Sequence, residues 1–177
     1  MAAPALAGAA YLATLASVST TFVGFSALLM VFRQTVGGGL TRLDSWITLV
    51  FIQLGFLVTA GSLTPHVLWL CGVPEPWVWR ACSAVLCALV AAFAVSYPAR
   101  RHAVSRRGTP TYVWLDLVLL AACIGVLGAN AWGWPGAPGP GGFAFGLTGV
   151  LFVAGLGYLH ALGALHEQAP PALPPQD

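Results

Sequence analysis

Asp116 and His160 are the two side chains of this 177-residue chain whose types and positions best suit proton chemistry in an apolar setting. Asp116 stands about one turn into an apolar run over 112–132, and His160 about a turn and a half before the end of another over 143–165. By count the two occupy similar depths, so a carboxylate–imidazole hydrogen bond or a proton or cation relay can be built there. A structural reading competes with that one. Asp116 complements the N-terminal dipole of its helix and approaches an arginine cluster. His160 shares a stripe with Gly146, Gly149, Val153, Gly157 and Ala164 at three- or four-residue steps. Small residues at that spacing let a second backbone come close, so His160 faces protein and an interhelical bond is the simpler role.

Two further polar groups fall inside apolar runs. Gln53 can bond across to a neighbouring helix, and a ring of such residues in an oligomer would begin to line a pore. His66 follows Thr64-Pro65 on a face with Gly55, Thr59 and Ser62. It serves either an outer vestibule or the interface near Trp69. Haem held by two histidines is disfavoured, because His66 and His160 lie near opposite ends of their spans and His102 and His166 fall outside them. The cysteines (71, 82, 87 and 123) form no CxxC pair and sit in apolar surroundings, so no metal is expected. They read as buried apolar residues, with a Cys71–Cys82 disulfide as the lesser alternative. No GxSxG, HExxH or P-loop stretch occurs in a context that would give it chemistry, so an enzyme is not expected and no cofactor is implied.

The elements that carry these groups follow from composition. With 58% hydrophobic and 7% charged residues, a soluble body could not be covered by polar surface. A mean hydropathy of +0.84 points to lipid as the solvent. Five apolar runs, 9–32, 46–70, 77–97, 112–132 and 143–165, are each long enough to cross a hydrocarbon core. The expected fold is therefore all-α, a single polytopic bundle of about five transmembrane helices over 1–166. Gly- and Pro-rich breaks separate the runs, among them VGGGL, CGVPEP and GWPGAPGPGG. The Pro-rich residues 167–177 read as a disordered cytoplasmic tail.

All basic side chains are arginine, and their placement sets the orientation. Arg33 and Arg42 flank the first connection, and Arg100, Arg101, Arg106 and Arg107 crowd the third. Arg80 alone falls on the other side. The bias places the N-terminus outside and the C-terminus in the cytoplasm. Tryptophans near the span ends suit the headgroup level. No basic stripe with interleaved aromatics suggests nucleic acid.

The first run is rich in small hydroxyls, and Ala13, Ser17, Thr20, Gly24 and Ala27 make one continuous small face. Together with Gly146, Gly149 and Gly157 in the fifth run, it reads as a helix-packing surface. At VGFSALLMVFR in the first run and VWRACSAVL opening the third, the chain resembles a widespread group of small five-span bacterial membrane proteins. The resemblance implies a bacterial inner membrane and brings no activity with it. The expected function is that of an accessory or oligomer-forming subunit, partnered by the lipid bilayer and by a homo-oligomer or larger membrane complex. The alternative is a small ion or solute channel or transporter using Gln53, Asp116 and His160.

Overall fold

The computed structural model describes residues 6–35, 42–104, 110–134, 136 and 138–166, with the side chains of 33, 34, 43, 44 and 161–166 outside that description. Among the described residues there are five helices: α1 (Ala9–Thr35), α2 (Arg42–Leu70), α3 (Glu75–Val104), α4 (Thr111–Trp132) and α5 (Pro140–His166). No strand occurs among the described residues. Each helix is long and apolar enough to cross a membrane. Val95 is 81% exposed and Phe145 70% exposed, a surface that water would not tolerate and acyl chains solvate without cost.

Helix ends follow local chemistry. Gly72 and Gly133 take the left-handed conformation, with φ of 83° and 76°, which only glycine adopts without a Cβ penalty. Gly133 donates to Asn130 and Trp134 donates to Ala129, closing the last carbonyls of α4. Pro140 opens α5 three residues before the expected start, at a position where its missing N–H costs nothing.

The third helix departs most from expectation. The sequence places its end at Tyr97, before Pro98, yet α3 runs on to Val104 with Pro98 inside it. Proline there removes one hydrogen bond and kinks a helix but does not forbid one. The following Ala-Arg-Arg favours helix, and Arg101 reaches back one turn to Tyr97. Arg100 and Arg101 are therefore helical residues rather than loop residues. Pro65 is accommodated inside α2 in the same way.

The helices assemble as neighbours: α1 on α2, α3 on α4, and α4 on α5, with α2 bridging to α5 and, more loosely, to α3. The core between α2, α3, α4 and α5 is filled by Val58, Trp79, Val90, Leu127, Phe143, Leu147 and Val150, all at most 1% exposed. Trp79 and Phe143 meet with ring centroids 5.8 Å apart. The glycines of α5 set the spacing. A Cβ on Gly146 would strike Leu127, and one on Gly149 would strike Cys123. The small face of α5 is thus filled from within the chain.

Candidate functional site

The half of the bundle at the arginine-bearing end of α3 is built differently from the rest of the core. Here α2, α3, α4 and α5 surround a cavity of about 50 Å³ whose wall includes Phe51, Tyr97, Arg101, Tyr112, Asp116 and Gly157. Arg101 is only 7% exposed, which is unusual for a guanidinium. Its one described hydrogen bond runs from Nη1 to the Tyr97 hydroxyl at 3.5 Å, and its buried Nε has no partner among the described residues. Asp116 enters the same cavity from α4, and its Oδ1 is likewise buried without a partner.

Glycine makes this arrangement possible. A Cβ on Gly157 would lie 3.1 Å from the Phe51 ring and 3.3 Å from Asp116 Oδ2. The carboxylate and the ring occupy the space a side chain would have taken. Phe51 in turn meets Tyr158 edge-on at 5.3 Å. One face of α5 therefore packs α4 higher up and shelters a carboxylate here.

His160 lies near Asp116 but does not hydrogen-bond to it among the described residues. Its ring stacks on Tyr112, with centroids 5.0 Å apart and planes 23° from parallel. Its Nδ1 is buried without a partner, as is Asp116 Oδ1. The sequence brings the two to one end of the bundle, and there the structure pairs His160 with the Tyr112 ring.

The other sequence candidates lie elsewhere. Gln53 is exposed on α2, on a face that helical spacing shares with Ala60 and Thr64, and no described hydrogen bond satisfies its amide. His66 is exposed at the far end of α2. Ser17, Thr20 and Gly24 are exposed on α1, and a Cβ on Gly24 would meet nothing within 4 Å. The face of α1 turned inward instead carries Ser19, Val23 and Ser26, with Ser19 Oγ 2.7 Å from Thr59 Oγ1. Arg42 and Arg100 are exposed. Arg106, Arg107, the side chain of Arg33 and the tail 167–177 lie outside the described residues.

At the opposite end, Asn130 is a hub that sequence reasoning passed over. Its Nδ2 donates to Ser83 Oγ at 2.7 Å and to the Gly139 carbonyl at 3.2 Å, and its Oδ1 accepts from Gly139 N–H at 3.1 Å. One amide thereby ties α3, α4 and the lead into α5. As the only asparagine in the chain, it was the available signal. Nearby, Arg80 Nε donates to the Ala131 carbonyl at 3.1 Å and its guanidinium covers Trp77. Glu75 accepts from Trp79 Nε1 one turn along the same helix. All four cysteines are free thiols, which sets aside the Cys71–Cys82 disulfide. No group of three or more metal-ligating side chains occurs among the described residues.

Searches against protein-family models, curated proteins and solved structures give no match for this chain.

Proposed function

We propose that this chain is a non-enzymatic subunit of a bacterial inner membrane that self-associates through its outward-facing small and polar helix surfaces. Gln53 carries the reading. It lies about 12 Å along α2 from Ser45, at hydrocarbon depth, by the rise of a helix. A primary amide there offers two donors and two acceptor lone pairs, and lipid can meet none of them. The hydroxyls of Thr14, Ser17 and Thr21 differ, since each bonds back to its own helix and can face acyl chains. Gln53 needs a partner from outside the protomer. A second Gln53 is the simplest match, because an amide complements itself across a two-fold axis. The small face of α1 adds a second surface on which a neighbouring helix could approach closely. The arginine distribution supports an outside N-terminus and a cytoplasmic C-terminus.

The channel or transporter alternative would need Gln53, Asp116 and His160 along one path. Gln53 faces outward while Asp116 lines an interior cavity, so such a path would cross the helix wall. Beyond the cavity, Val58, Trp79, Leu127, Phe143 and Leu147 fill the core.

Gln53→Leu is expected to shift the protein toward monomer, weakening association roughly three- to twentyfold, in line with about 0.6–1.7 kcal/mol for interhelical polar contacts in membranes. Sedimentation equilibrium in detergent, or single-molecule photobleaching in liposomes, measures the change. A wild-type protein that is monomeric at every protein-to-lipid ratio would end this proposal.

A further inference from the structure

The cavity at Arg101 has the makings of a ligand site, and its case is independent of self-association. A guanidinium has five N–H donors in a fixed fork, and burying it without acceptors is costly. Here it is more than nine-tenths buried, lines the cavity, and makes one long hydrogen bond among the described residues. The wall facing it includes Tyr112 and Val113 from the first turn of α4. Pro110 at that N-cap has no side-chain oxygen to offer, so the helix start adds positive character. These features favour an oxyanion.

Asp116 narrows the choice. Its unpartnered Oδ1 is an acceptor in the same small space, so an anion that is acceptor-only would meet repulsion there. An oxyanion that also brings a donor satisfies both ends. The size is also selective: 50 Å³ holds about three to five water-sized groups, the scale of the four oxygens of one phosphate. From this geometry we infer that the cavity binds a phosphate group with an adjacent O–H or N–H donor, Arg101 taking the phosphate oxygens and Asp116 the donor. Two sources share that chemistry. Protonated inorganic phosphate carries its own O–H, and a phosphatidylethanolamine headgroup carries an ammonium beside its phosphodiester.

The test uses the full-length protein, stripped of lipid in detergent, with thermal unfolding followed at matched ionic strength. Inorganic phosphate, sulfate, short-chain phosphatidylethanolamine and short-chain phosphatidylcholine are titrated in turn. Sulfate and phosphatidylcholine are the controls, because neither offers Asp116 a donor. The expected result is saturable stabilisation by phosphate, by the ethanolamine lipid, or by both, and at least tenfold weaker binding of the controls. Response to phosphate assigns a soluble source, and response to the lipid alone assigns a headgroup. Arg101→Gln should raise the half-saturating concentration at least tenfold, while Arg100→Gln, on an exposed neighbour, should leave it unchanged. Asp116→Asn should erase the preference for phosphate over sulfate, and it serves as the decisive variant if Arg101→Gln does not fold. The inference is overturned if no phosphate compound stabilises the protein, if sulfate or phosphatidylcholine binds equally well, or if the Arg100 and Arg101 variants weaken binding alike.

Discussion

Replacing Gly146 by valine destabilises the bundle by about 1–3 kcal/mol, the usual cost of forcing extra methyl groups into a filled core. A Cβ at this position would lie 2.6 Å from Leu127 Cγ and 2.7 Å from Leu127 Cδ2. Leu127 is itself fully buried, so it has no free space into which to rotate. Either α4 and α5 move apart or the leucine leaves its rotamer. The partner change distinguishes this account from a general intolerance of α5 to substitution. Leu127→Ala alone opens a cavity and costs about 2–5 kcal/mol. In the double variant the valine fills part of that cavity, so its cost should fall short of the sum of the two single-variant costs by more than about 0.5 kcal/mol, roughly the limit expected for independent sites. Thermal or denaturant unfolding in detergent provides the comparison. Simple additivity would show that the two side chains do not share this space.

The second large effect is expected at Asn130. Interhelical hydrogen bonds in membranes average only about 0.6 kcal/mol, so the bond to Ser83 alone predicts a modest loss. The larger part comes from what Asn130→Ala leaves behind. Gly139 loses the partners that its N–H and its carbonyl find on one amide, and the fully buried Ser83 hydroxyl loses its donor. Orphaned buried polar groups cost about 1–3 kcal/mol, and that is the expected destabilisation. Asn130→Asp should be no better than Asn130→Ala despite its near-identical shape. A carboxylate has no N–H for the Gly139 carbonyl and would set a negative charge against it. Ser83→Ala, which removes an acceptor and leaves the Gly139 contacts intact, should cost clearly less than either. An aspartate variant as stable as wild type would rule out the hydrogen-bond account.

Asn130 and Arg101 also mark where reading the sequence stopped short. The five spans were legible because lipid makes the same demand of every residue along a helix, and length with hydropathy records that demand directly. Which faces meet is another matter. These helices are apolar nearly all round, so no amphipathic stripe announces the core side. Small residues offered the only pattern, and it served differently in two places. On α5 it receives Leu127, Cys123 and Phe51 from neighbouring helices, whereas on α1 the corresponding face is turned outward. In the sequence Arg101 is one charge in an orientation count, on a helix expected to end at Tyr97, before Pro98. Once α3 continues through that proline, the same arginine turns back among α2, α4 and α5. Asp116 and His160 were brought to one end of the bundle as counted, but depth along a helix says nothing about azimuth. The Tyr112 ring standing against His160 could be seen only in three dimensions.

The order of helix contacts has a consequence for how the protein is made. α1 rests chiefly on α2, its immediate successor in translation, so this hairpin can dock while the ribosome is still synthesising the remainder. α5 emerges after the other four helices, and it supplies Val153, Ala154 and Gly157 to the cavity wall as well as the room that Asp116 occupies. A nascent chain stalled after α4 would hold four inserted helices, with Arg101 and Asp116 still lacking their enclosure. The phosphate pocket is thus closed only when α5 inserts, and its occupancy would report that α5 has docked on the helices before it.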